Sequence, residues 1–379
     1  MRENYHDLGK EALYWLTETL SGGWVRLSLL ERIIHALGRS LSPVKYLNLS
    51  PEELKKRYYE ETLISLSIGQ EYFELPQTWV FDNTERRLPL SSFELIVDET
   101  SPEYKIPLQI GSKASTLLEI QKKLQKRQLF DSTTIRLNGI KESDGQVYLL
   151  VSKAHYFDYL ATNFSIDALL QGWSKSLRDT VHPYPRLCKL EESLLANHVG
   201  IGVLVFTADG FLVLPVRSRA GVNIRRGEIG PSISGATNFN RDIINNLSNL
   251  VSPCLREGTE ELGIETSNFS ISDTALLGIT RELLRGGKPE LFFSTTLDIT
   301  ANELRETFRK AEHRYETSQI KLFEFRSTLH RMPAEKEKPE YYWSLMNEFT
   351  QCLKQFGKQM SLPALTNLVL WFKYKLAAT

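Results

Sequence analysis

The chain is predicted to be a mixed α+β protein with more than one structural unit. Residues 1–75 have the apolar spacing of helices, whereas beyond about residue 190 apolar strands alternate with amphipathic helices. The length of 379 residues also exceeds an ordinary domain, which holds about 100–200 residues. We therefore expect four parts: a helical accessory module at 1–80, an α+β region at 81–190, a central α/β domain at 191–330 and C-terminal helices at 331–379.

The composition is that of a folded protein without electrostatic bias. Lys plus Arg and Asp plus Glu number 46 each, so no basic excess favours nucleic acid as a partner. No apolar run approaches the roughly 20 residues of a membrane span. The cysteines Cys188, Cys254 and Cys352 are far apart, which fits reduced thiols rather than a disulfide framework. We expect a cytoplasmic protein with no nucleic-acid or membrane partner, and the sequence leaves the oligomeric state open.

The N-terminal half is assigned from caps, turns and periodicity. Leu27, Leu30, Ile33 and Ile34 share one face of a predicted helix at 27–34. Ser50 is expected to cap the next helix, because Pro51 suits its first position and Glu53 completes a capping box. Further along, strands are predicted at 92–97, 135–137 and 146–151, a helix at 115–128 and a turn at 143–145.

The central block begins with two apolar strands, 200–206 and 211–216, joined by an Asp-Gly turn at 208–210. A glycine-rich stretch at 221–239 is predicted to be a loop, and 242–262 a helical segment that Pro253 interrupts. The remaining predictions are strands at 275–280, 291–297 and 319–325, a helix at 301–314 and two helices within 339–376.

Three glutamates dominate the end of the predicted central helix. Glu257, Glu260 and Glu261 stand at positions i, i+3 and i+4, so they are neighbours on one helix face. An exposed acidic face would tolerate their repulsion, whereas an enclosed one needs a cation. Hard divalent ions such as Mg²⁺ prefer carboxylate and phosphate oxygens. The spacing leaves both interpretations open, and the preceding glycine-rich loop, which contains Gly235, favours a phosphate-binding site.

The segment 256–264, Arg-Glu-Gly-Thr-Glu-Glu-Leu-Gly-Ile, resembles the second half of the Nudix box. The first half departs from that pattern. Asp242 and Ser248 stand where the pattern has Gly and Glu, and if Gly235 is the loop glycine, about seven residues are inserted. Gly258 replaces the usual hydrophobic residue.

A longer resemblance covers roughly residues 115 to 330 and points to the Nudix hydrolases that split UDP-glucose and UDP-galactose. It includes the segment 156–163, which either contacts substrate or seats the N-terminal region on the Nudix domain. Arg217 and Arg219 lie two residues apart on one strand, and are either a solvated edge or contacts to a diphosphate. Glu290 is either a rim charge or a base or ligand of the site. Together with Arg217, Arg219 and Gly235 it forms the set of tentative substrate-binding residues.

This resemblance implies a Nudix α/β/α sandwich. The implied reaction is hydrolysis, dependent on Mg²⁺ or Mn²⁺, of a nucleoside-diphosphate sugar, namely UDP-glucose or UDP-galactose, to UMP and a sugar 1-phosphate. It also implies that Glu257, Glu260 and Glu261 bind the metal. The implied catalytic residues are Glu257, a possible base, with Glu261 and Arg256, the latter orienting the carboxylates.

Three alternatives stay open from the sequence. A non-catalytic nucleotide-sugar sensor is disfavoured by the presence of all three glutamates. A Nudix hydrolase for ADP-ribose or a dinucleotide differs only in the pocket that selects the base, which no residue pattern here identifies. A DNA-binding regulator with an N-terminal helix-turn-helix is disfavoured because the basic residues from Lys10 to Arg39 are few.

Overall fold

An eight-stranded mixed sheet forms the centre of the computed structural model. Its strands run in the order β13-β9-β8-β12-β11-β3-β2, and β10 adds to the open side of β8. A second sheet has the order β4-β6-β5, and β1 pairs with β7. The α+β class predicted from the sequence is confirmed. The structure describes residues 10–16, 44–47, 49–68, 70–124, 129–170, 172–182, 184–218, 227–243, 250–329 and 338–377.

The strands extend through most of the chain. They are β1 (Val44–Tyr46), β2 (Leu63–Ile68), β3 (Glu71–Asp82), β4 (Phe93–Val97), β5 (Thr133–Ser143), β6 (Gln146–His155), β7 (Ala168–Leu170), β8 (Gly200–Phe206), β9 (Phe211–Arg217), β10 (Ile233–Ala236), β11 (Ala275–Glu282), β12 (Lys288–Thr296) and β13 (Thr317–Glu324).

Helices flank the sheets. They are α1 (10–16), α2 (Pro51–Arg57), α3 (Leu108–Leu124), α4 (Tyr156–Ala161), α5 (Leu177–Val181), α6 (Phe239–Asp242), α7 (Ser252–Leu262), α8 (Ala301–Phe308), α9 (Lys338–Phe356) and α10 (Leu362–Ala377). None of the helices in these ranges is long and apolar enough to cross a membrane.

The large sheet is covered on both faces, because successive side chains of a strand point to opposite sides. Along β8, Leu204 and Phe206 join a core that contains residues of α9 and α10. Val203 and Val205 join a second core with residues of α7, α8 and the smaller sheet. The result is the α/β/α layering that the central domain was expected to have.

Several predicted elements are confirmed. Ser50 caps α2 in a complete capping box with Glu53, and Pro51 is at its start. The turn after β5 uses positive φ angles of 53° at Asp144 and 77° at Gly145, which suits the two-residue hairpin that joins β5 to β6. β8 has the predicted bounds, and the C-terminal segment forms two helices, α9 and α10.

Other predictions are wrong. Helices were expected through residue 75, but residues 63–68 form the strand β2. In β2, Ile64, Leu66 and Ile68 are buried and the serines between them are more exposed. This alternation is a strand pattern. β3 then pairs with β11, and residue 80 lies within it, while the division into domains at that residue stays a prediction. The predicted helix 27–34 lies outside the described residues.

Two further corrections concern the central block. Residues 233–236 were expected in a loop but form β10, because they pair with β8. Pro253 does not interrupt a helix: it lies in the first turn of α7, where a proline leaves no helical hydrogen bond unmade. The helix expected over 301–314 ends at Phe308.

Candidate active site

The glutamate-bearing helix α7 lies against β10 with its acidic face directed at that strand. Proline in its first turn starts the helix, and Gly263 ends it with a left-handed φ of 67°. A β carbon on Gly263 would collide with the carbonyl oxygen of Thr307, so glycine suits this position sterically as well. The two ends fix which residues form the helix. Within it, Glu257 and Glu261 are both buried.

Two glycines allow the helix to approach closely. The Glu257 carboxylate fills the space that a β carbon on Gly235 would occupy, so only the Glu257 side chain lies between β10 and α7 at this point. A β carbon on Gly258 would collide with the ring of Phe269 and touch Ile233. The replacement of the usual hydrophobic residue at 258 therefore has a packing reason, since Phe269 supplies the apolar group.

Arg256 is the central cation of the site. Its guanidinium donates to both oxygens of Asp242 at 3.1 Å, to Oε1 of Glu257 at 2.7 Å and to the carbonyl of Ala236 at 2.9 Å. Burial opposes its charge, but the hydrogen bonds that it donates to Asp242 and the negative charge of Glu257 outweigh this effect and raise the pKa of Arg256. The arginine therefore holds Glu257 in place, as the resemblance implies.

Asp242 belongs to the same cluster, although in the sequence it is only a departure from the Nudix pattern. Its side chain is 1% exposed, and besides Arg256 it accepts from the backbone N–H of Asn238 at 2.6 Å. The position where the pattern has glycine is thus the last residue of α6 and provides a buried anchor for the arginine. No short-range pattern links Asp242 to Arg256 across 14 residues.

Glu261 has a different set of neighbours. Its Oε2 accepts from the backbone N–H of Ser234 at 3.0 Å, and Arg217 donates to the Ser234 hydroxyl at 3.1 Å. Glu260 is bound to Arg241 at 3.1 Å and has Arg256 at 3.5 Å and His313 at 3.7 Å. The three glutamates are therefore held separately by neighbours in the described structure.

Burial strongly raises the pKa values of the two buried glutamates, Glu257 and Glu261. It raises the pKa of Glu257 to about 7, with added repulsion from Glu260 and Glu316 and opposition from Arg256. Burial and the charge of Glu257 raise the pKa of Glu261 to about 8, against the Ser234 hydrogen bond and Arg217. The ionised pair is thus short of positive charge, which a divalent cation would supply.

Glu316 is a fourth glutamate of the site, and the sequence did not indicate it. It precedes β13 and adds negative charge to the environments of both Glu257 and Glu261. It lies far from the Nudix box in the chain and carries no pattern of its own, because only the packing of the segment before β13 against α7 brings it near.

The oxygen donors of the cluster suit a divalent metal ion. Buried carboxylate oxygens whose ionisation is opposed by their surroundings fit a hard cation. As their side chains stand, the described residues contain no group of three or more His, Cys, Asp or Glu side chains placed to hold a metal ion together. Glu257, Glu260 and Glu261 provide the right atoms, and arginines presently satisfy the first two.

The structure brings most of the predicted site residues together. Arg256, Glu257, Glu260, Glu261 and Gly235 form one cluster, and Arg217 reaches it through Ser234. Glu290 lies across β8 and pairs with Lys288 instead. Arg219 is outside the described residues, as is Ser248.

The contacts of segment 156–163 support the interpretation that it seats the N-terminal region on the central domain. The side-chain oxygen of Asn163 accepts from the backbone N–H of Asn197 at 2.9 Å, and its amide donates to the Arg285 carbonyl at 3.1 Å. The Thr162 hydroxyl accepts from the N–H of Ala196 at 3.2 Å. These bonds fix the backbone that leads into β8.

Comparison with known proteins gives two curated relatives. The human uridine diphosphate glucose pyrophosphatase NUDT22 is 27% identical over 233 residues, which is 57% of this chain and 73% of that protein. Its mouse counterpart is 26% identical over 234 residues, covering 57% and 72%. The resemblance to Nudix UDP-sugar diphosphatases is confirmed by these relatives.

Two other comparisons add little. No protein-family model matches the chain. A crystal structure of DR0079 from Deinococcus radiodurans is 17% identical and covers 27% of this chain and 57% of that one, with a TM-score of 0.21. That score is too low to support an argument.

Proposed function

We propose that this chain is a Nudix hydrolase that cleaves the diphosphate bond of a nucleotide sugar, namely UDP-glucose or UDP-galactose, to UMP and a sugar 1-phosphate. The single observation that carries the proposal is the burial of Glu257 and Glu261 against β10, where Gly235 leaves room for the Glu257 carboxylate. An acidic helix face that served only for solubility would be exposed. The relatives at 26–27% identity support the choice of substrate.

The residues of the site have distinct roles in this proposal. Glu257, Glu260 and Glu261 would hold Mg²⁺ or Mn²⁺. When bound, such an ion neutralises a diphosphate and lowers the pKa of the attacking water. Arg256 fixes Glu257 through its bonds to Asp242 and Ala236, which keeps a carboxylate at one position beside the substrate. Positioning of this kind supplies much of the catalysis in phosphoryl transfer.

Arg217 is proposed to bind the diphosphate. Its Nη1 donates to Ser234, while its buried Nε has no hydrogen-bond partner within the described residues. An unpaired guanidinium N–H beside an acidic cluster suits an incoming phosphate oxygen. Arg219 is proposed for the same role on the basis of its sequence position alone.

The test is a product assay. Purified protein is incubated with UDP-glucose, UDP-galactose, ADP-ribose and a dinucleotide polyphosphate, each with Mg²⁺, with Mn²⁺ or with a chelator. We expect UMP and sugar 1-phosphate from the two UDP-sugars, and only with metal. Faster cleavage of ADP-ribose or the dinucleotide would overturn the substrate class and keep the Nudix assignment. Binding of UDP-sugars without turnover would indicate the sensor alternative.

A further inference from the structure

An exposed tyrosine lies at the edge of the acidic site. Tyr315 is 57% exposed and belongs to a short helical turn, Arg314–Glu316, which directly precedes β13. Its ring meets the imidazole of His313 edge to face, with centroids 5.7 Å apart. Nδ1 of His313 in turn lies 3.7 Å from Oε2 of Glu260. Two side-chain contacts therefore lead from the acidic face of α7 to an aromatic ring that solvent reaches.

The turn is held between α7 and the end of β9. The backbone N–H of His313 donates to the carbonyl of Glu260 at 2.7 Å. On the other side, the backbone N–H of Ser218 donates to the carbonyl of Glu316 at 2.7 Å. Ser218 directly follows Arg217, the proposed diphosphate ligand. The turn thus connects a proposed metal ligand to a proposed phosphate ligand.

The side chain of Arg314 braces the same turn. Its guanidinium donates to the carbonyls of Thr317 and Ser318 and lies over the ring of Phe308, 4.2 Å from the centroid. The backbone that bears Tyr315 is therefore fixed by several contacts. A ring on a fixed backbone loses less conformational freedom when a ligand packs against it.

The turn is on the same side of the large sheet as the proposed metal ligands. Glu316, the residue after Tyr315, is close enough to Glu257 and Glu261 for its charge to raise both of their pKa values. A ligand bound at these carboxylates does not have to cross the sheet to reach the tyrosine ring, and the exposure of the ring leaves it open to that ligand.

The parts of a nucleotide sugar match this arrangement. In the proposed function the diphosphate lies between the metal at Glu260 and the guanidinium of Arg217, the two groups that the turn connects. The base is separated from the diphosphate by one ribose, and the ring of Tyr315 is separated from Glu260 by one side chain, that of His313. Single exposed aromatic residues are ordinary on protein surfaces, but this one is braced and adjoins the expected position of the phosphates.

We propose that the ring of Tyr315 is a stacking platform for the uracil base of the substrate. Aromatic side chains bind bases in this way because every base presents a flat π face. The base is favoured over the hexose, since the hydroxyls of a hexose call for hydrogen-bonding side chains rather than a flat ring. This inference rests on the proposed function and adds a residue that binds the nucleoside.

The experiment measures by calorimetry the Kd of three ligands in the presence of Mn²⁺: UMP, 5,6-dihydro-UMP and glucose 1-phosphate. The dihydro base keeps the hydrogen-bonding edge of uracil but is neither flat nor aromatic. We expect wild type to bind UMP at least about tenfold more tightly than 5,6-dihydro-UMP, because base–aromatic stacking has this strength. Equal binding of the two nucleotides overturns the proposal.

Variants assign the effect to the ring. Tyr315→Ala should weaken UMP binding at least about tenfold, bring the two nucleotides to a similar Kd and leave glucose 1-phosphate unchanged. Tyr315→Phe keeps the ring and should bind UMP as wild type does. If Tyr315→Ala fails to fold in a thermal melt, Tyr315→Leu keeps an apolar side chain without a flat ring and gives the same comparison.

Tyr72→Ala is the matched control. Tyr72 is 61% exposed and lies on β3 opposite Ser67 of β2, which is the far edge of the large sheet from β13. We expect this variant to bind all three ligands as wild type does.

The outcomes distinguish this inference from the proposed function. Unchanged UMP binding in Tyr315→Ala overturns the stacking platform, and so does a loss confined to glucose 1-phosphate, which would place the hexose at the ring. Equal weakening of UMP and glucose 1-phosphate also overturns it, because the change would then act on the metal or phosphate site. If wild type cleaves UDP-glucose while any of these results holds, only the platform is wrong. If wild type neither binds nor cleaves any nucleotide sugar, both proposals fall.

Discussion

The carboxylate of Glu257 occupies the volume that a β carbon on Gly235 would need. The two residues are 22 positions apart in the sequence, on α7 and β10, and neither element alone requires glycine there, because Gly235 has no left-handed φ. The glycine is explained by the carboxylate that lies against it. The relationship makes the glycine a direct probe of the acidic site.

Gly235→Ala should displace Glu257 and reduce turnover while the protein stays folded. A catalytic group moved by about 1 Å can cost about 100-fold in rate. The measurement is kcat for UDP-glucose, with a thermal melt to check folding. Gly111→Ala on α3 is the control, because a β carbon there meets no atom within 4 Å. Unchanged turnover in Gly235→Ala would show that the position of Glu257 is unimportant.

Glu261→Gln should lower turnover about 1000-fold, because several kcal/mol of transition-state stabilisation depend on a metal ligand. Glu265→Gln removes an exposed glutamate just beyond the same helix and should leave turnover unchanged. Melts with and without Mn²⁺ give an independent readout: wild type should gain more stability from the ion than Glu261→Gln does. Equal turnover and equal metal response in the two variants would remove the carboxylate helix from the site.

The metal-free protein should become less stable as pH rises from about 5 to about 8.5. Glu257 and Glu261 have pKa values raised to about 7 and about 8. In this window the folded state therefore binds more protons than the unfolded state, and the slope of stability with pH is negative. Melts in chelator should show this slope in wild type and a weaker one when both residues are Gln. Mn²⁺ should stabilise wild type more at the upper end of the window than at the lower, since the metal binds the ionised form.

Arg217→Met should weaken substrate binding more than it slows chemistry. Loss of charge-assisted hydrogen bonds worth about 1.5–3 kcal/mol predicts a KM roughly 10- to 100-fold higher. Arg309→Met, which removes an exposed arginine paired with Glu306 on α8, is the control. A KM equal to that of wild type would return Arg217 to the solvated-edge interpretation.

Deletion of residues 1–80 should give an insoluble or inactive product. The cut removes β2 and most of β3, and β3 is the neighbour of β11 within the large sheet. Exposed strand edges favour aggregation. Solubility and circular dichroism of the shortened chain provide the measurement. A soluble, active product would support the separate accessory module expected from the sequence, a division that stays a prediction.

The sequence determined what depends on local pattern. Ser50 and Glu53 indicated the capping box of α2, two apolar runs and an Asp-Gly turn indicated β8 and β9, and helical spacing placed three glutamates on one face of α7. These features follow from backbone geometry and from neighbours within four residues. The resemblance to UDP-sugar-cleaving Nudix proteins also came from residue order.

Only the tertiary structure decided which of these groups meet. Asp242 anchors Arg256, Glu316 adds charge beside Glu261, and Lys288 fills the space beside Gly200, although no periodicity connects the members of these pairs. The same holds for β2 and β3, whose place beside β11 set aside the helical interpretation of the N-terminal segment. The physical reason is that burial and pairing across strands are set by distant parts of the chain, and these decide the final charge state and position of each side chain.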